Sequence, residues 1–490
     1  MRKLVMKRSP LFSFIVSLCF VLTTAYATAR AVIVSNVTEL INAIEQANEG
    51  GDKTIILEAG TYTLDNMLWV ETDGVTVRSS SGNRDEVIIR GAGMNGSVSH
   101  IFNVAGSDFS IRDLTMGWVC NHAIQIHGNA NAHRPLIQNL HLVDTFEQMI
   151  KVSYDSASDN CSESGIVENC LFEYSAGIGP QYYIGGIDAH RAKKWIVRSN
   201  IFKAIISPSN QVAEFAIHFW SDSEDTLVEG NTIINCDRGI GFGMDDPGHT
   251  GGIIRNNMIY HDTSEGYADV GILLEYAPET QVYNNSIYLE HGFPNAIEYR
   301  FASTTGVLIV NNLTNKEITQ RDGASATVSH NVTDVQASWF VNPSAGDLHL
   351  STRPSVVIDQ GLPVTGLVAD FDGDIRPQGA GIDIGADEVN GETVTTTVSP
   401  DTTSTTTTIE GQICPVEVIY GEDSDETVLL GYIHDNVLTQ TPEGQEIIRL
   451  YYKLSPVIVQ MMNEDEEFKA QVKKMIDGVI NYSSFFRIFY

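Results

Sequence analysis

Val197-Arg-Ser-Asn200, Val228-Glu-Gly-Asn231, Ile254-Arg-Asn-Asn257, Val282-Tyr-Asn-Asn285 and Ile309-Val-Asn-Asn312 repeat one phrase: an aliphatic residue, two variable positions, then asparagine. The same phrase is read at Leu136–Asn139, Ile166–Asn169 and Val328–Asn331, and neighbouring asparagines of the series stand between 19 and 31 residues apart. A period of that length belongs to a solenoid in which each repeat is one coil. The recurring asparagine is expected to be a turn residue whose amide bonds the asparagines above and below it, an arrangement that stacked β architectures tolerate.

Working outward, residues from about 65 to 350 alternate short Val- and Ile-rich runs with Gly, Asn, Asp and Ser turns, which reads as strands. No helical pattern interrupts them, so βαβ folds are disfavoured. Each coil is expected to hold two or three strands, paired in parallel with the next coil about 4.8 Å away. Before them, Val37 to Asn48 forms an amphipathic helix stopped by Gly50-Gly51, and Thr54-Ile-Ile-Leu-Glu-Ala-Gly-Thr-Tyr62 a strand and turn. Such a helix would cover the raw edge of the first coil.

These features together resemble the right-handed parallel β-helix. Residues 47–62, Ala-Asn-Glu-Gly-Gly-Asp-Lys-Thr-Ile-Ile-Leu-Glu-Ala-Gly-Thr-Tyr, resemble the N-terminal coil of pectate-lyase-like proteins, and Val77 to Gly91 their second coil. Asp370-Phe-Asp-Gly-Asp-Ile-Arg-Pro377 followed by Asp383-Ile-Gly-Ala-Asp-Glu388 is similar to the closing motif of bacterial "choice-of-anchor" extracellular proteins. The resemblance implies an all-β fold over residues 30–390. It implies no single reaction, because that superfamily holds lyases, hydrolases, epimerases and non-enzymes.

The flanks read differently. Residues 1–29 carry a basic start (Arg2, Lys3, Lys7, Arg8), an apolar run from Leu11 to Leu22 and a small-residue cleavage pattern at Ala25-Tyr26-Ala27, the marks of a signal peptide. The run is too short for a membrane span, so the mature chain is expected to be exported, at the cell surface or beyond, with no transmembrane segment. Residues 391–412 are a threonine-rich linker, and 413–490 a small helical domain with apolar spacing over Gly444–Leu454 and Glu467–Ile480. Cys414, Tyr420-Gly421 and Leu450 to Pro456 are similar to the C-terminal CFI-box segment of exported bacterial proteins, with its opening degraded.

A net charge of −32, from 62 acidic and 30 basic residues, excludes nucleic acid as a partner, since that needs basic patches. Cys161 and Cys170 flank a polar loop and could bridge. Asp370-x-Asp372-Gly-Asp374 has the alternating carboxylates that suit Ca²⁺, though a charged end cap is the plainer reading.

Seven strands of the form apolar-x-apolar-x precede or join the asparagine phrases: Ile124–His127, Ile150–Ser153, Ile187–His190, Ile217–Trp220, Ile240–Gly243, Ile272–Glu275 and Ile297–Arg300. Side chains alternate faces, so the x positions face outward and stack into two columns. One reads Gln125, Lys151, Asp188, His218, Gly241, Leu273, Glu298; its neighbour reads His127, Ser153, His190, Trp220, Gly243, Glu275, Arg300. Gly241 and Gly243 are expected to leave a hollow where a sugar ring lies against Trp220, with Arg191, Arg238, Asp245, Asp246 and His249 on flanking loops.

Two chemistries fit this face. β-Elimination from a uronic acid sugar needs a base, here His190, His218 or Lys151, and an Arg or Ca²⁺ to neutralise the sugar carboxylate. Hydrolysis needs two carboxylates across the bond, here Asp188 with Asp222 or Asp245, or Glu275 with Glu298. The catalytic candidates are therefore Lys151, Asp188, His190, Arg191, His218 and Arg238. The substrate-binding candidates are Trp220, Asp245, His249, Glu275, Glu298 and Arg300. The expected partner is an extracellular polysaccharide. Cleavage of an acidic one is the first expectation, with a non-catalytic glycan-binding or adhesion module as the alternative.

Overall fold

The structure, a computed structural model, describes residues 31–263, 267–389, 415–421 and 424, and positions 462, 469, 472, 473 and 476. The expected signal peptide, linker and most of the helical tail lie outside them. Two units are distinguished, Met1–Thr393 and Val394–Tyr490. In the second, Pro415–Tyr420 is helical and the Tyr420 hydroxyl lies 3.4 Å from the Lys473 carbonyl.

The first unit is a parallel β-solenoid. One wall is a ten-stranded sheet running from Leu68–Val70 to Glu317–Gln320, each strand paired in parallel with the next coil. Two further walls form a continuous 20-stranded sheet that bends along its length. Ser110–Val119 and Leu136–Thr145 pass through the bend as single strands, while later coils divide there, as in Ile166–Glu168 and Leu171–Glu173. A short fourth strip pairs Ser162–Glu163, Ala192–Lys193, Ser223–Glu224 and His249–Thr250. Inside, Ile124, Ile150, Ile187, Ile217, Ile240, Ile272 and Ile297 stack in one register and all are fully buried. β-Branched side chains suit such a column because χ1 is nearly fixed before folding begins.

The bend carries the asparagine ladder. Asn200, Asn231, Asn257, Asn285 and Asn312 each donate one amide hydrogen bond, 2.9–3.0 Å long, to the next, and Asn331 is the last acceptor. The same amides bond main-chain carbonyls inside the coil, as Asn257 does to Val228 and Arg255. The first two copies of the phrase are out of frame. Register pairs Val167 with Val197, so Cys170, not Asn169, faces Asn200, and Leu140 precedes it in the column. Asn139 and Asn169 occupy the preceding position, where φ is +49° and +56°. Asparagine is among the residues that tolerate this left-handed conformation best.

Replacing Asn257 by leucine would orphan the buried Asn231 backbone N–H, which donates to Asn257 Oδ1 at 3.0 Å, and take one donor from the Val228 and Arg255 carbonyls. At about 1–3 kcal/mol for an unsatisfied buried group, a loss of about 1–3 kcal/mol is expected, read as a lower urea midpoint.

At the start, helix α1 (Val37–Asn48) lays Leu40, Ala43, Ile44 and Ala47 on the first coil. Its N-terminus is capped by Asn36, whose side chain accepts from the Glu39 N–H, while Glu39 accepts in return from the Ser35 N–H. At the other end the segment 359–389 folds back on the coils. Arg376 and Glu388 form an ion pair with no solvent exposure. Asp370 accepts the N–H groups of Asp372, Asp374 and Glu388, so this carboxylate serves the turn. Asn256, Asn284 and Asn311 donate to the carbonyls of Ala369, Asp383 and Leu362 and so fasten the segment down. Cys161 and Cys170 are not bridged; both are free thiols.

Candidate functional site

The first outward column holds in every rung. Gln125 pairs with Lys151, Lys151 with Asp188, Asp188 with His218, His218 with Gly241, Gly241 with Leu273, and Leu273 with Glu298. It continues back through Asn103 to Trp69, a ring 41% exposed on the first coil of this wall. In the second column His190 pairs with Trp220 and Glu275 with Arg300.

At the centre of this face four groups converge on Asp188, which is itself buried. Lys151 Nζ bonds Oδ2, and Trp220 Nε1 donates to Oδ1 at 2.6 Å. His190 Nε2 and His218 Nδ1 stand 3.8 and 3.9 Å from that same Oδ1. Burial alone would raise the carboxyl pKa. The Lys151 ammonium and the two imidazoles outweigh it and hold Asp188 down at about 2. For the rings burial wins: both imidazoles are pushed down to about 4, against the pull of Asp188, and are neutral at pH 7. His218 Nε2 lies 3.0 Å from the Gly243 carbonyl, which must accept a proton there, so Nδ1 carries the lone pair. His190 Nδ1 meets Ser221 Oγ at 3.1 Å, and Ser221 in turn faces Asp245 at 3.4 Å. The tautomer of His190 therefore depends on where Ser221 sends its single proton.

Aromatic rings line the group. His190 stacks on Tyr154 at 4.8 Å and leans on Trp220 at 4.4 Å, and His218 stacks on Trp220 at 5.1 Å. Tyr154, Tyr182 and Tyr183 are exposed.

Other expectations need correction. The hollow at Gly241 is filled, because a Cβ there would lie 2.8 Å from the Phe215 ring. Phe215, Val270 and Leu273 form an apolar cluster, with Met244 and Phe293 packed against it. His249 is inside the coil rather than on a rim loop. It stacks on Phe242 at 3.9 Å, bonds Thr226 Oγ1 at 3.0 Å, and burial lowers its pKa to about 3. Arg191 is a tether, its guanidinium bonded to the Ser158 and Asp155 carbonyls and lying over Tyr154. Arg238 pairs with Asp269 at 3.4 Å. Glu275 is bound by Arg300, and Glu298 by Arg321 and Asn295, so this carboxylate pair is occupied structurally. Asp222 stands 3.9–4.0 Å from Lys193 and Arg191.

One residue escaped the sequence reading. Glu214 immediately precedes the strand Phe215–Trp220 and senses the charges of Arg238, Asp188 and Lys151. No hydrogen bond or ion pair engages its carboxyl among the described residues. Burial raises its pKa, Arg238 and Lys151 acting against that and Asp188 with it. Beside it the Gln148 amide is fully buried with neither Oε1 nor Nε2 paired. The signal was a lone acid one position before an apolar strand. A recess of about 400 Å³ lies away from this chemistry, lined by Arg84, Asn139, Asn169 and Cys170. Its guanidinium is already spent on the Leu140 and Asn169 carbonyls. That recess offers shape without reactive groups.

No family model matches the chain, and no curated protein does. Among solved structures, an alginate lyase from Paenibacillus sp. str. FPU-7 is similar at 16% identity and a TM-score of 0.44, covering 62% of this chain and 100% of that one. Pectate lyase Pel9A is similar at 16% identity and 0.44, covering 69% and 88%. A rhamnogalacturonan lyase follows at 10% identity and 0.40, covering 65% and 94%. Among the described residues no helix is long and apolar enough to cross a membrane.

Proposed function

We propose that this chain acts on an acidic polysaccharide at the outer face of the ten-stranded wall, by β-elimination centred on Lys151, Asp188, His190 and Glu214. The observation that carries the reading is one register-locked patch. It combines an ammonium, two neutral imidazoles and an unengaged carboxyl whose pKa burial raises, beside exposed aromatic rings. His190 supplies a lone pair for a carbon-bound proton, Glu214 a proton for the leaving oxygen, and Lys151 positive charge near the sugar carboxylate. Asp188 is held ionised and orients the others; it is not the base. The basic start and apolar run of residues 1–29 support export, where such a substrate would be met.

A second reading, glycan binding without cleavage, is favoured by one observation. Asp188 already spends Oδ2 on Lys151 and Oδ1 on Trp220, and Phe215 closes the space over Gly241. Incubation with a panel of uronate and neutral polysaccharides separates the two. Ultraviolet absorbance from an unsaturated product is expected with a uronate polymer, and His190→Ala and Glu214→Gln should each slow it about 10²–10⁴-fold. Reducing ends without that absorbance would mean hydrolysis. Retention on a glycan array by wild type but not His190→Ala, with nothing cut, would mean binding alone.

A further inference from the structure

A second cluster of chemistry-bearing side chains stands at the closing end of the solenoid, on residues the sugar-site reading does not use. His349 lies on the strand Asp347–Leu350, which pairs antiparallel with Phe340–Asn342. Asp372 and Asp387 come from the two arms of the closing segment. One ligand atom from each of His349, Asp372 and Asp387 lies within 4.8 Å of the other two.

The orientation of the imidazole is informative. Nδ1 lies 2.6 Å from Asp347 Oδ1 and donates to it, which orients the ring and turns Nε2 towards the two carboxylates. This carboxylate–imidazole pair is the arrangement that orients metal-bound histidines and raises their basicity. Nε2 is buried and has no hydrogen-bond partner. Asp372 Oδ2 stands only 3.0 Å from it, yet off the axis of a hydrogen bond. Neighbouring ligands around one ion hold that relation, each aimed at a common centre rather than at the other. The carboxylates are braced as well. Asp387 Oδ2 accepts from the Leu350 N–H at 2.7 Å, which leaves Oδ1 to bind, and the Asp372 N–H is fixed by Asp370 at 3.0 Å. The Phe371 ring meets His349 edge-on at 5.4 Å and shields one side.

We propose that His349, Asp372 and Asp387 bind a divalent ion of the zinc, cobalt or manganese type, oriented by Asp347, which pins the closing segment to the last hairpin. Imidazole with two carboxylates suits such borderline ions, whereas Ca²⁺ is held by oxygen donors alone. The ion bridges elements that otherwise meet mainly through the Leu350–Asp387 bond and the apolar contacts of Phe340, Leu348, Ile384 and Ala386. Its role is to fasten the end of the solenoid, so it needs no part in the sugar chemistry.

The test uses the full chain, stripped with a chelator and titrated with Co²⁺. One equivalent is expected to bring up a visible d–d absorption band, which Zn²⁺ bleaches and Ca²⁺ leaves unchanged. The thermal midpoint should rise with Zn²⁺ concentration, since an ion that binds the folded state alone stabilises it. His349→Ala should abolish the band, and Asp347→Asn should weaken Co²⁺ binding about 10–100-fold. Asp372 is largely exposed, so Asp372→Asn keeps the fold and provides a ligand variant independent of packing. The proposal is overturned if wild type shows no band. It is equally overturned if His349→Ala and Asp372→Asn take up Co²⁺ like wild type, the ion then sitting on other carboxylates.

Discussion

Asp188→Ala is expected to lower the stability of the solenoid by about 3–5 kcal/mol, the cost of stranding a buried charge whose partner has been removed. The stranded charge is the Lys151 ammonium, whose side chain is only 13% exposed. The Trp220 indole N–H, which donates to Asp188 at 2.6 Å, would lose its acceptor as well. Asp188→Asn should behave similarly, because an amide keeps the shape but cannot balance the ammonium. Adding Lys151→Met to Asp188→Asn should recover most of the loss, since removing both charges leaves neither uncompensated. Urea denaturation of the four proteins checks this. A single variant within about 1 kcal/mol of wild type, the range of an exposed pair, would show that the pair is solvated after all.

The second large effect is acid sensitivity. Burial lowers His100, His190 and His218 to about 4, and His122, His249 and His291 to about 3. Folded values below the usual 6.5 mean that the native state resists protonation. The stability these neutral rings confer is complete above pH 6.5 and is lost as the pH falls towards 4 and below. Asp188, held at about 2, keeps its contribution until the pH falls from 3.8 towards 2. Asp383 opposes the trend: burial raises it to about 6, so its protonation favours the fold as pH falls from 6 to 3.8. Burial also raises Glu214, Asp237, Asp269, Glu275, Asp370 and Asp387, and these carboxyls offset part of what the six rings lose. Each pKa unit is worth about 1.4 kcal/mol, so even half the summed shift matches the roughly 5–15 kcal/mol that holds a domain together. The thermal midpoint, followed by circular dichroism, should therefore drop steeply between pH 6.5 and 4. A flat profile over that range would refute the buried, neutral state of these rings.

The sequence made the period, the inward isoleucine stack and the outward columns legible because each follows from alternation and one recurring turn residue. The frame error at Asn139 and Asn169 had a physical origin. Two adjacent positions at the bend both favour asparagine, one for its amide ladder and one for its left-handed backbone, so the phrase matches either. His249 was misplaced because its strand has only two residues, too few for alternation to declare a face. The burial of the site was illegible for another reason. Phe215, Val270 and Met244 reach the outer face from strand beginnings and connecting loops, where no periodicity governs direction. Glu214 was hidden at such a boundary too.

The fastening of the closing segment has a corollary for how this molecule can change length. Ser199-Asn200 and Gly230-Asn231 lack an amide to spare, whereas Asn256-Asn257, Asn284-Asn285 and Asn311-Asn312 each use the second amide in the ladder and the first to grip the returning chain. Duplicating or deleting a repeat upstream of Asn231 would leave that grip in step. The same edit among the last three doublets would throw every clasp out of alignment, so growth by repeat duplication is confined to the N-terminal half.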